Sequence, residues 1–203
     1  MITITTTNSK LGGHIPQISL PPIKTCRKNA PCAKYCYACK GTSTYKNVQE
    51  SRQNNLDEFM NDSKGYFKQI VNYINNEDII YKFFRWHVAG DIVNEEYFKG
   101  MVEVAKKCKH TKFLAFTKKF EIVNNYLASG EKLPKNLSIV FSAWDKTFEV
   151  DNPYNLPMTY VFFKKEENNP NIPQFAFPCA GNCSECKACW NLKKGQSVYF
   201  NQH

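Results

Sequence analysis

The chain has 203 residues, of which 42% are hydrophobic and 14% aromatic, enough apolar material for a packed core and too much for a disordered chain. Lys and Arg number 27 against 18 Asp and Glu, a formal net charge of +9, which permits a polyanionic partner without requiring one. No run approaches the roughly 18 consecutive apolar residues of a membrane span, and Met1-Ile-Thr-Ile-Thr-Thr-Thr7 has neither a basic nor an apolar leader region. The expectation is a cytoplasmic protein with no membrane partner.

Residues 1–25 alternate weakly, with Ile2, Ile4, Ile15, Ile18 and Leu20 interrupted by Gly12-Gly13 and Pro21-Pro22. This predicts short strands and extended chain. A Cys-rich loop follows at 26–44. Helical spacing begins near Val48 and takes in Leu56, Phe59 and Met60; a second helical stretch, about 64–75, carries Phe67, Ile70, Val71 and Ile74. Residues 79–88, IIYKFFRWHV, are β-branched and aromatic and run into Ala89-Gly90-Asp91, which predicts a buried strand ending in a tight turn. Asn94 caps a helix to about residue 107, with Phe98, Met101, Val102, Val104 and Ala105 inward. A strand at 112–116, a helix at 120–128, and strands at 137–142 and 158–163 follow. The β-α-β-α-β order implies parallel strands joined by crossover helices. Residues 170–178 read as an extended linker and 197–200 as a last strand. No repeat of fixed period is visible.

Nine cysteines carry the chemistry, and eight of them fall in two dense groups. A cytoplasmic chain keeps thiols reduced, so such clusters point to metal rather than to disulfides. The first group is Cys26, Cys32, Cys36 and Cys39, with inner spacing C-x3-C-x2-C. Three thiolates on one short loop can hold three irons of a 4Fe–4S cube and leave the fourth open to another ligand, an arrangement suited to chemistry. The second group is Cys179, Cys183, Cys186 and Cys189, whose four thiolates would close a structural or electron-transfer cluster. Zinc is the alternative occupant. It favours paired C-x2-C units separated by a longer loop, whereas each group here is one tight run, nearer to ferredoxin-type loops. Cys108, alone at a helix end, reads as a small buried hydrophobe.

Other polar residues have bland and functional readings side by side. His87, beside Trp86 in an apolar strand, reads first as a core or lining histidine held by one hydrogen bond. Asp91 ends a strand, where α/β folds gather ligand groups, but also where turns need Asp. Lys118-Lys119 opens a helix against its dipole, which does not serve helix stability. Tyr35 and Tyr37 flank Cys36 and can shield a cluster from water. Trp144 reads as packing. His14 and His110 read as surface residues.

Five segments together resemble the phage gene-product-88 family and, through it, the radical S-adenosylmethionine enzymes. They are Thr25-Cys26…Cys32-Ala-Lys-Tyr-Cys36-Tyr-Ala38; Arg85-Trp-His-Val-Ala-Gly-Asp-Ile92; Phe113-Leu-Ala-Phe-Thr-Lys-Lys119; Leu133-Pro-Lys-Asn-Leu-Ser-Ile-Val-Phe-Ser-Ala-Trp144; and the terminal cysteine run. The resemblance spans the chain from about residue 8. It implies a partial (β/α) barrel of radical S-adenosylmethionine type, with a Cys-rich N-terminal loop and a C-terminal cysteine cluster. S-adenosylmethionine would bind the open iron, and its reductive cleavage would yield a 5′-deoxyadenosyl radical. Ala89-Gly90-Asp91 stands where such enzymes carry a Gly-Gly-Glu-like motif, so Gly90 and Asp91 are implied cofactor contacts. Lys118, at the end of the next strand, would face a carboxylate or phosphate. Ala38 precedes Cys39 where an aromatic residue is usual. In the phage relatives the cysteine corresponding to Cys36 is the last ligand. The triad is therefore Cys26, Cys32 and Cys36, or Cys32, Cys36 and Cys39, and both stand.

The expected organisation is a partial barrel over 1–168 and a Cys-rich extension over 169–203 holding a second metal site. The leading functional reading is an iron–sulfur enzyme with one or two 4Fe–4S clusters and S-adenosylmethionine, served by an electron donor. Its substrate is open, with nucleotides and nucleic acid among the candidates. The second reading is a non-enzymatic zinc- or iron–sulfur-stabilised module that binds nucleic acid.

Overall fold

Apolar residues occupy both faces of the central strands, so the sheet is covered on two sides. The computed structural model describes residues 1–76, 78–144, 148–163 and 172–202. In chain order the elements are β1 (Ile4–Thr5), β2 (Gln17–Ile18), α1 (Lys46–Asn61), α2 (Ser63–Ile74), β3 (Phe83–Trp86), α3 (Glu95–Lys107) and β4 (Lys112–Thr117). Then come α4 (Phe120–Ala128), β5 (Leu137–Ser142), β6 (Met158–Phe162), β7 (Phe177–Pro178), the one-turn α5 (Cys183–Cys186) and β8 (Ser197–Asn201). The strands form one eight-stranded sheet in the order β1-β2-β3-β4-β5-β6-β8-β7. Only the β1–β2 pair is antiparallel. The protein is thus a mixed α/β fold on a mostly parallel sheet. Among the described residues no helix is long and apolar enough to cross a membrane.

Alternation along the strands divides the core. Phe84 and Trp86 of β3, Phe113 and Ala115 of β4, and Ile139 and Phe141 of β5 join residues of α1–α4 in the larger cluster. Leu114 of β4 and Val140 of β5 point to the other face and meet Leu11, Ile15 and Trp190. The helices therefore cover one face, and the N-terminal turn and C-terminal cysteine segment cover the other.

Local chemistry sets the helix ends. Asn94 accepts a hydrogen bond from the Tyr97 amide at 2.8 Å, Glu95 and Glu96 occupy the first turn of α3, and Lys106 and Lys107 the last. Asp62 accepts from the Gly65 amide at 2.9 Å and separates α1 from α2.

The strand expected over 79–88 is shorter than its apolar pattern. Phe83 pairs with Lys112, the first residue of β4, so nothing upstream has a partner strand. Ile79 and Ile80 are accordingly exposed. The expected boundary near 168 lies in 164–171, outside the described residues, as do residues 170 and 171 of the expected linker. Beyond them β8 pairs with β6, so the C-terminal segment extends the same sheet.

Trp190 anchors that segment. It is buried, its Nε1 donates to the Phe84 carbonyl at 3.0 Å, and its ring meets Phe83 edge-on at 5.5 Å. Ser138 Oγ adds a bond to the Cys189 carbonyl at 2.9 Å. Trp190→Ala is expected to cost about 3–5 kcal/mol in urea unfolding. A loss under about 1 kcal/mol would show that the segment does not depend on this anchor.

Candidate metal and cofactor site

Parallel strands carry their ligand sites at their C-terminal ends. The sheet register brings those ends together: Trp86 pairs with Ala115, and Thr117 with Phe141. A cavity of about 560 Å³ opens there.

The first cysteine group reaches this cavity on a chain of short 3-10 turns, Pro31–Tyr35, Tyr37–Cys39 and Gly41–Thr44. Arg52 of α1 braces the loop, its Nη1 donating to the Ala38 carbonyl at 3.1 Å and to the Ser43 carbonyl at 3.4 Å. Thr25 ties the start of the loop to the end of β3: its hydroxyl donates to the Pro21 carbonyl at 2.8 Å and accepts from the Asp91 amide at 3.1 Å. The close approach is what Gly90 serves. Its φ is +81°, and a Cβ there would come within 2.7 Å of the Thr25 hydroxyl and 2.8 Å of Leu20.

Asp91 is buried, and its carboxylate holds the strand ends in register. Oδ1 accepts from Thr117 Oγ1 at 2.6 Å and from the Ile92 amide at 2.7 Å; Oδ2 accepts from the Lys118 amide at 2.9 Å. Burial raises its pKa, against the pull of those hydrogen bonds. Three of about four acceptor positions are thus occupied by the protein itself. The Lys118 ammonium donates to Ser142 Oγ at 2.6 Å, which links the end of β4 to that of β5. Tyr35 and Trp144, which also line the cavity, stack with centroids 6.2 Å apart and planes 14° apart.

The thiols are close to one another. Burial first, then the charge of Asp91, with smaller contributions from Cys32 and Cys36, push Cys26 up to about 11. Cys39 is raised by burial first, then by the charge of Cys36 and a hydrogen bond with it. In the second group burial raises Cys189 to about 12, with Arg85 opposing and Cys179, Cys183 and Cys186 reinforcing. As placed, no three His, Cys, Asp or Glu side chains among the described residues meet as ligands of one metal ion. Suitability for a metal therefore lies in the donor set, eight soft thiols in two compact groups.

A sequence profile for gene product 88 matches residues 2–192. The chain belongs to the gene product 88 family. The match takes in both cysteine groups. No curated protein and no solved structure matches the chain significantly.

In this gene product 88 protein one cavity wall gathers most of the residues singled out from sequence. Cys26, Cys32, Cys36, Gly90, Asp91 and Lys118 line it, and so do Cys179, Cys183 and Cys189. Cys39 and Cys186 are exposed and do not line it. Cys108 is buried in the main core, as its isolation suggested. Arg85 also lines the cavity and escaped the sequence reading; its signal was a cation inside an aromatic strand, Phe83-Phe-Arg-Trp86.

His87 is buried, with φ +50°, and Nε2 is 3.2 Å from the Tyr97 hydroxyl, which meets the Tyr66 hydroxyl at 2.8 Å. Nδ1 is buried without a partner among the described residues. Burial, then Arg85, lowers its pKa to about 3. An ordinary histidine takes a proton near pH 6.5, which this one resists in the folded state. Stability is therefore expected to be full above about pH 6.5 and to fall as pH drops from there toward 3, by several kcal/mol at most. His87→Gln should flatten this part of the stability–pH profile. An equally steep profile in the variant would assign the acid loss to other groups.

Proposed function

We propose that the protein is an iron–sulfur enzyme of radical S-adenosylmethionine type, built on a partial (β/α) barrel and carrying an auxiliary cluster. The observation that supports this is the shared cavity: thiols of both groups border one space with Gly90, Asp91 and Lys118 at the ends of parallel strands. Lining by Cys26, Cys32 and Cys36, with Cys39 outside, favours that triad for the catalytic cluster. Cys179, Cys183, Cys186 and Cys189 would hold the closed one. With S-adenosylmethionine at the open iron, the cofactor supplies hydrogen abstraction through a 5′-deoxyadenosyl radical.

The chain's own residues have simpler tasks. Lys118, held by Ser142, presents an ammonium to a carboxylate. Gly90 lets the cysteine loop approach the strand end. Asp91, most of whose acceptors are used internally, positions Lys118 and retains about one lone-pair position for the cofactor's amino group. Tyr35, Trp144 and Phe116 would supply an aromatic wall to the site. The enzyme would work in the cytoplasm of a bacterial host with a one-electron donor. The test is anaerobic reconstitution, reduction and a search for 5′-deoxyadenosine; its absence from protein with intact clusters refutes the enzyme reading.

A second reading draws on the +9 charge and the stacked Tyr35–Trp144 pair that lines the cavity with Lys118: a zinc- or iron–sulfur-stabilised module that binds nucleic acid. Colourless, zinc-loaded protein that retains single strands at physiological salt would favour it.

A further inference from the structure

Arg85 is a half-buried cation at the cavity wall. Strand alternation puts its side chain on the face that also carries Phe83, and its β4 partner is Leu114. Cys183 and Cys189 pack against this same apolar cluster. The guanidinium lies 4.2 Å from the centroid of the Phe116 ring, and Nε donates to the Trp86 carbonyl at 3.0 Å. Among the described residues it has no carboxylate within ion-pair distance.

The groups whose charge acts on it are Tyr37, Cys189, Cys183 and Cys179. Lys10 also acts on Cys183 but is exposed, so solvent screens it. A partly desolvated charge over apolar rings is unfavourable unless an opposite charge faces it. Neutral thiols do not provide one. Four thiolates around a core of about +2, zinc or 4Fe–4S, leave about two negative charges.

We propose that Arg85 is the counter-charge of the C-terminal cysteine centre, the sheet's contribution to holding that centre at the cavity wall. The inference rests on the C-terminal group binding metal, whatever the metal is. It makes Arg85 a positioning residue and gives the segment two attachments of different kinds, Trp190 through packing and Arg85 through charge.

The test uses the full chain as purified anaerobically, in excess chelator, with alkylation of each cysteine followed by mass spectrometry. Arg85→Met fills the space over Phe116 without charge; Arg85→Lys keeps the charge. In Arg85→Met, Cys179, Cys183 and Cys189 should be labelled at least tenfold faster than in the parent, with Cys26, Cys32 and Cys36 changed far less. Arg85→Lys should recover most of the protection. Equal protection in the parent and Arg85→Met, equal loss in Met and Lys, or loosening of both groups together would overturn the proposal. Iron, sulfide and zinc contents of the same samples separate it from the enzyme reading: zinc in both groups ends that reading and leaves the Arg85 result to stand by itself.

Discussion

Cys36→Ala is expected to lower 5′-deoxyadenosine formation by more than about a thousandfold in reduced, reconstituted protein, about 4 kcal/mol in barrier. Cys189→Ala should lower it only several-fold. Both candidate triads contain Cys36. Its charge acts on Cys26, and its thiol makes a hydrogen bond with Cys39. Removing it leaves the cluster without a second or third ligand under either assignment. Cys189 belongs to the group that the proposal makes auxiliary. Equal inactivation by the two substitutions would put the chemistry at both centres; full activity of Cys36→Ala would remove it from the N-terminal one.

Complete metal removal is expected to leave the chain loosely folded or insoluble. Binding free energy at a site that does not exist in the unfolded chain is folding free energy, on the order of 10 kcal/mol for structural sites. Two features raise the stake. Thiols of the C-terminal group pack against the second apolar cluster, and Arg85 loses its counter-charge when they become neutral. Cys183→Ser combined with Cys186→Ser should produce the same loss with iron or zinc supplied in excess. A thermal melting curve unchanged by exhaustive chelation would sink this expectation.

The fold was legible where local signals agreed. Asn94 marked the start of α3, and the apolar patterns of 120–128 and 137–142 coincide with α4 and β5. It was illegible where pairing decides. Ile79-Ile80 has strand character and no neighbour strand, so it stays outside β3. Residues 197–200 were expected as a strand, but the place of β8 beside β6 depends on a contact distant in sequence. The candidate site divides in the same way. Cysteine spacing disclosed both groups, and the β/α order placed Gly90, Asp91 and Lys118 at strand ends. That Cys179, Cys183 and Cys189 face the same cavity follows from Trp190 reaching back to Phe84, a bond across the sheet that no local pattern encodes. Arg85 was hidden because a single charge in an aromatic run has no partner along the chain.

We propose that the two cysteine groups hold iron–sulfur clusters at one cavity. Protein purified without oxygen and assayed for iron, acid-labile sulfide and zinc tests it most directly. Brown protein with iron and sulfide in near equal amounts and little zinc is the expected result. Colourless protein with zinc bound to both groups would contradict it.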